Sequence, residues 1–179
     1  MCDIPSLFHS FEHDEPFKTC LTCEQKFTEI DQPYTITKVF QGTECVFEYA
    51  MCLPCRHKMM LSFSEESRQT MNDFFEKNSY VKAREEKLQD SRDLDECLET
   101  CATCGVHLSE TDNYNLGCMA FDNELLFDPA PMMICSACEQ KMQKSLSKST
   151  REEWDKFILD NFDGPPADAL KPDGVPVLV

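Results

Sequence analysis

The sequence predicts an α+β fold built from two tandem copies of one small unit, joined by a helix. Three observations predict it. Eight of the twelve cysteines form four C-x2-C pairs, spaced as two sets of paired pairs. The stretch around the second pair of the first set recurs 83 residues later. Between paired pairs the chain alternates at strand period, and after them the period becomes helical.

In the first set, Cys20 and Cys23 are followed by Cys52 and Cys55, with 28 residues between the pairs. In the second set, Cys101 and Cys104 are followed by Cys135 and Cys138, with 30 residues between the pairs. Met51 to Met60 aligns with Ile134 to Gln143, and the match runs on through Ser62/Ser145, Ser64/Ser147, Arg68/Arg151, Phe74/Phe157 and Asn78/Asn161. The upstream cysteines match at a shift of 81. Agreement over that length marks an internal duplication.

The spacing divides the chain into an N-terminal arm at 1–17, a first unit at 18–78, a linking helix at 79–98, a second unit at 99–162 and a Pro-rich tail at 163–179. In the arm, Phe8, Phe11 and Phe17 are expected to cover the first unit's core. In the first unit, Tyr34 to Phe40 is rich in β-branched and aromatic residues and reads as a strand. Gln41-Gly-Thr-Glu44 is a turn, and Cys45 to Met51 is the returning strand. In the second unit, Tyr114 to Phe121 and Glu124 to Phe127 flank the turn dipeptide Asp122-Asn123. Asp128-Pro-Ala-Pro131 then delays the return to Cys135.

Each second cysteine pair is expected to open a short helix, followed by a freshly capped longer one. Ser62-Phe-Ser-Glu65 and Ser149-Thr-Arg-Glu152 have the capping-box pattern, which places the second break near Ser149. Met71, Phe74, Phe75, Trp154, Phe157 and Ile158 should form apolar faces that dock on the hairpins or on each other. The linking segment, Ser79 to Leu98, carries apolar residues near heptad spacing at Val81, Leu88, Leu94 and Leu98. Its seven acids and two bases between Glu85 and Glu99 read as a solvated face or as an acidic surface for a basic partner.

A C-x2-C turn brings two sulfurs near one ion, with backbone N–H groups aimed at them. A second pair in the first turn of a helix gains the free N–H groups and the dipole, which favour thiolate. Four thiolates complete the structural zinc arrangement. The predicted ligands are therefore Cys20, Cys23, Cys52 and Cys55 for one Zn²⁺, and Cys101, Cys104, Cys135 and Cys138 for a second. Units this small need such a staple in place of a large core.

The order of knuckle, hairpin and helix resembles the treble-clef and zinc-ribbon-like four-cysteine fingers, with Cys104-Gly105 similar to their common knuckle. The resemblance implies structural zinc. It stops at architecture: the loop between pairs is longer than in GATA-like fingers, the LIM and RING histidine pattern is missing, and the hairpins lack the histidines of an HNH nuclease.

Of the other cysteines, Cys45 and Cys118 read as small buried residues of strands. Cys97 lies one helical turn before Cys101 and could replace a ligand during oxidation, while Cys2 sits near the terminus. His57 has Gln140 as its counterpart, so its role does not require imidazole. His9 and His13 lie in the acidic arm, and His107 has no evident task. No nucleophile–base pair, phosphate loop or paired-carboxylate site appears, so the chain is not expected to be an enzyme.

The chain has 33 acidic and 17 basic residues and a net charge of −16. Adding eight negative thiolates and the four positive charges of two Zn²⁺ takes this to −20. A polyanion repels nucleic acid and anionic membranes, and no apolar run is long enough to span a bilayer. Lys141, Lys144, Lys148 and Arg151 would share a helix face if that helix were continuous, which offers a DNA-contacting alternative. The start lacks the pattern of a secretory signal, and twelve cysteines without one suggest a reducing cytoplasm. The expectation is a small, soluble, acidic, zinc-binding adaptor or regulator that works through protein–protein contacts. A zinc/thiol redox switch is the other alternative. The tail ends in Val175-Pro-Val-Leu-Val179, an apolar terminus expected to be mobile.

Overall fold

A computed structural model describes residues 2–162; the tail expectation lies outside the described residues. The elements in chain order are β1 (Cys2–Asp3), β2 (Tyr34–Gln41), β3 (Glu44–Cys52), α1 (Leu53–Ser62), α2 (Glu65–Glu76), α3 (Ser79–Leu88), α4 (Leu94–Leu98), β4 (Asn113–Phe121), β5 (Glu124–Leu126), β6 (Met132–Cys135), α5 (Ser136–Ser145) and α6 (Lys148–Asn161). The fold is a mixed one of helices and an antiparallel sheet. Among the described residues no helix is long and apolar enough to cross a membrane.

Both predicted hairpins form, but they do not remain separate. β2 pairs with β3 on one edge and with β4 on the other, both antiparallel, so one sheet of order β1-β5-β4-β2-β3 runs through both units. The pairing is symmetric. Tyr34 stands opposite Cys52 in the first unit, and Tyr114 opposite Cys135 in the second. Equivalent strand positions are thus 80 apart, and Thr37 faces its own counterpart, Gly117, across the β2–β4 ladder. A pseudo-twofold axis passes between them.

The second hairpin departs from the expected form. Its return strand is split into β5 and β6, both on the β4 edge away from β2. Two prolines in Asp128–Pro131 cannot donate to a ladder, so pairing lapses there and resumes at Met132. β6 went unforeseen because a four-residue strand beside prolines carries little periodic signal.

Strand alternation puts Tyr34, Ile36, Lys38 and Phe40 on one face of β2, and Thr35, Thr37 and Val39 on the other. The first face is covered partly by the N-terminal arm. Lys38 is buried and pairs with Glu48 at 3.1 Å. The Glu48 carboxylate also accepts from Ser10 Oγ at 3.1 Å and from the Phe11 N–H at 2.7 Å, and Lys38 donates to the His9 carbonyl. A buried ammonium, a half-buried carboxylate and the arm's backbone thus satisfy one another, as burial requires. Phe8 is fully buried beneath the arm and Phe17 packs on the core, whereas Phe11 is 70% exposed. The arm turns at Phe11 to deliver its N–H to Glu48, which leaves the ring outside.

The other sheet face receives the helices. Tyr49 packs against Phe157 and Phe162, and Trp154 stacks on Phe157 at 5.1 Å. The two-helix pattern after each second cysteine pair is present, but the caps are Ser64 and Ser147, not Ser62 and Ser149. The reason is tertiary. Ser64 Oγ and Ser147 Oγ lie 2.9 Å apart on the pseudo-axis. The Ser64 N–H donates to Thr150 Oγ1 at 3.0 Å, and the Ser147 N–H donates to Ser67 Oγ at 2.9 Å. Each cap oxygen also accepts from its own helix, from the N–H of Ser67 or Thr150. This is a capping box whose return arms are exchanged between two helices, with Ser67 and Thr150 wholly buried.

The linking helix is also corrected. It is two helices, α3 and α4, with a turn over residues 89–93. Asp93 accepts from the N–H groups of Asp95 and Glu96 and so starts a new helix. Val81, Leu88 and Leu98 are buried and Leu94 half-buried, so the apolar stripe packs inward. Arg84 joins it, donating to the carbonyls of Cys97 at 2.6 Å and Pro131 at 2.8 Å.

Candidate metal centres

In the first unit the turn Cys20–Cys23 is closed by Glu24 N–H donating to the Cys20 carbonyl, and by Cys20 N–H donating to the Gln25 carbonyl. Cys52 ends β3 and is the N-cap residue of α1, which places Cys55 in that helix's first turn. In the second unit Gly105 N–H donates to the Cys101 carbonyl, Cys135 ends β6 and caps α5, and Cys138 lies in its first turn. The structure therefore brings all eight predicted cysteines together as two groups of four.

Within each group the sulfurs lie within 4.8 Å of one another. Cys23 and Cys52 Sγ are 3.9 Å apart, and Cys104 and Cys135 Sγ 3.8 Å. A tetrahedron of sulfurs at about 2.3 Å from its centre has edges of about 3.8 Å. Both groups can hold a metal ion. Each is also preorganised electrostatically. The Cys52 N–H donates to Cys20 Sγ at 3.5 Å, and the Cys135 N–H to Cys101 Sγ at 3.4 Å.

Burial pushes the Cys20 thiol up, but N–H groups of Cys23, Cys52 and Thr22 outweigh it and bring it down to about 7. Cys101 is likewise raised by burial and lowered more by Thr103 and the amides of Cys135, Thr103 and Cys104, to about 7. Burial and the crowding of neighbouring sulfurs hold Cys55 and Cys138 well above the ordinary thiol range, and Cys135 at about 11. Cys20 and Cys101 are thus the sulfurs most ready to be thiolates, and Cys52, Cys55, Cys135 and Cys138 need a cation to offset the charge.

The two knuckles differ. In the second, Thr103 is buried and its Oγ1 lies 3.3 Å from Cys101 Sγ. Asn78 donates to the Thr103 carbonyl at 2.8 Å, and Tyr80 lies so close over Gly105 that a Cβ there would sit 2.8 Å from its ring. In the first, Thr22 is exposed and Glu24 occupies the position of Gly105. Both adopt positive φ, 59° for Glu24 and 77° for Gly105, but only glycine does so freely. Asn78 and Tyr80 were missed from the sequence. A glycine in one knuckle facing a glutamate in the other was the available signal.

The remaining sequence candidates fall outside the clusters. Cys97 is fully buried in α4, and burial raises its thiol. Cys118 is buried in β4, while Cys45 in β3 is only half-buried. His57 is exposed. His9 Nε2 lies 2.9 Å from the Ile4 carbonyl, and His107 caps the Leu108–Glu110 turn through Nδ1. The cationic stripe is broken: α5 ends at Ser145, the chain kinks through Leu146 and Ser147, and α6 starts at Lys148. Its four side chains are exposed but do not lie along one continuous helix.

Comparisons of the chain with protein-family models, with curated proteins and with solved structures give no match.

Proposed function

We propose that this chain is a non-catalytic zinc protein in which two Zn²⁺ ions fold a pair of treble-clef-like modules, and that it acts as an adaptor or regulator by protein–protein contact. The observation that carries the reading is the sulfur geometry, with edges of 3.8 and 3.9 Å matching a tetrahedral four-thiolate ion at both centres. Cys20, Cys23, Cys52 and Cys55 would hold one ion, and Cys101, Cys104, Cys135 and Cys138 the other. Zinc is favoured over iron because the Pro-Gly setting usual for four-cysteine iron sites is missing from the sequence. Four sulfurs fill all four positions and leave none for a water or substrate, so the metal supplies folding energy and not chemistry.

The charge of −16 argues for a protein partner and against nucleic acid or an anionic membrane. The test is metal content by native mass spectrometry, followed by affinity capture from cell extract with metal present. Two zinc ions per chain and a specific co-purifying protein support the reading; metal without any partner counts against the adaptor role. A thiol switch is a second reading, because one cysteine in each group, Cys23 and Cys104, is exposed. There, peroxide would take two electrons from two thiolates, forming a disulfide and two waters with uptake of two protons, and Zn²⁺ would leave. Zinc release by chelator but not by mild peroxide contradicts that alternative.

A further inference from the structure

An open groove of about 820 Å³ lies between the N-terminal arm, α4 and the Leu108–Glu110 turn. Leu7, Leu98 and Leu108 give it an apolar floor. Asp93, Asp95, Glu96 and Glu99 stand around it, four carboxylates against the one ammonium of Lys87, with His107 Nε2 3.6 Å from Glu99. Lys87 is already engaged with Glu96 at 3.2 Å. The first unit shows what closes the corresponding place there. Phe27 occupies the position of Leu108, with its N–H donating to the Lys18 carbonyl as that of Leu108 donates to Glu99. Phe27 stacks on Tyr34 at 3.7 Å and is buried. Leu108 has no such stack, because Tyr114 lies instead on Phe40 at 5.1 Å, and Leu108 stays half-exposed.

We propose that this groove docks a basic amphipathic peptide segment of a partner protein, with one bulky apolar side chain on Leu7, Leu98 and Leu108 and flanking Lys or Arg beside Asp95 and Glu99. The proposal rests on the protein-contact reading and names its partner class. Charge complementarity selects the occupant. A carboxylate rim repels an acidic or phosphorylated segment, and the apolar floor gains nothing from a purely polar one.

The test uses the full-length, metal-loaded chain and a fluorescein-labelled 12-residue peptide of repeated Lys-Lys-Leu-Leu, read by anisotropy at low and physiological salt. The expected result is saturable binding that weakens at least tenfold when the peptide leucines become serine, and at least tenfold in the Asp95→Lys/Glu99→Lys protein. The Leu7, Leu98 and Leu108 methyl resonances should shift on titration. A control pair at exposed positions of α6, Glu152→Lys/Asp155→Lys, changes net charge equally and should leave affinity within about twofold. Equal weakening by both pairs, or binding indifferent to the peptide leucines, would reduce the effect to diffuse polyanion attraction and overturn the groove. Absence of binding at low salt overturns it too. Neither result bears on the adaptor role itself, which fails only if capture from extract yields no partner.

Discussion

The two knuckles have the same backbone turn and sulfurs at matching distances, yet among the described residues only the second has another segment, Asn78 and Tyr80, packed over it. Asn78 and Tyr80 come from the chain leaving α2 and close over the second knuckle, 20 to 25 residues further on. Gly105 allows that approach. At the first knuckle Glu24 carries a side chain at the position that Gly105 holds in the second. The two centres share one layout, and a glycine at 105 where the first has Glu24 goes with the packing of Tyr80 over the second knuckle. The sheet shows the same divergence. Lys38 anchors the arm through Glu48, and at the equivalent position, 80 residues on, stands Cys118, a buried thiol.

The largest effect should come from the metals. A structural Zn²⁺ ion contributes on the order of 10–16 kcal/mol of apparent free energy at neutral pH, so on the proposed zinc reading chelation should abolish the cooperative thermal transition seen by circular dichroism. Acid should act in the same direction, because protons compete with metal for the thiolates. Retention of that transition in the metal-free chain would make the core, not the staples, the source of stability.

Next come changes that test the difference between the halves. Gly105→Glu puts a side chain into the Tyr80 ring at a positive φ and should cost about 2–4 kcal/mol in urea unfolding. Glu24→Gly should instead stabilise slightly, by about 0.5–1 kcal/mol, by relieving the same φ. Similar destabilisation by both would mean that the covering of the second knuckle is of no consequence. Glu48→Gln removes the counter-charge of buried Lys38 and should cost about 3 kcal/mol while loosening the arm, measurable as faster amide exchange over 8–15.

Smaller effects should appear at the pseudo-axis. Thr150→Ala orphans the Ser64 N–H, and Ser67→Ala orphans the Ser147 N–H. Each should cost about 1–2 kcal/mol, and symmetry requires the two values to agree within about 0.5 kcal/mol. Unequal values would show that the crossed caps bear unequal load.

The sequence made the local parts legible because their causes are local. C-x2-C spacing, β-branched runs around Gly42 and the helical period after Cys55 and Cys138 each act within a few residues. The joining of the halves was hidden because its cause is distant. Thr35, Thr37 and Lys38 are polar yet buried, since β2 is central and covered on both faces; a strand read alone looks like half of an isolated hairpin. The caps failed for the same reason. Ser62 and Ser64 are both acceptable caps locally, and only Thr150 and Ser147, more than 80 residues away, select Ser64. Tyr80 over Gly105 is again a contact between segments that no local pattern connects.

The most direct test of the account is native mass spectrometry of the purified chain during timed competition with a chelator, with alkylation of the cysteines released. Two zinc ions per chain and a one-zinc intermediate are expected. In that intermediate Cys20, Cys23, Cys52 and Cys55 are alkylated while Cys101, Cys104, Cys135 and Cys138 are protected. Simultaneous loss of both ions, or retention at the first site, would contradict the inequality of the two centres. A metal-free chain holding disulfides within the two groups would contradict the metal centres themselves.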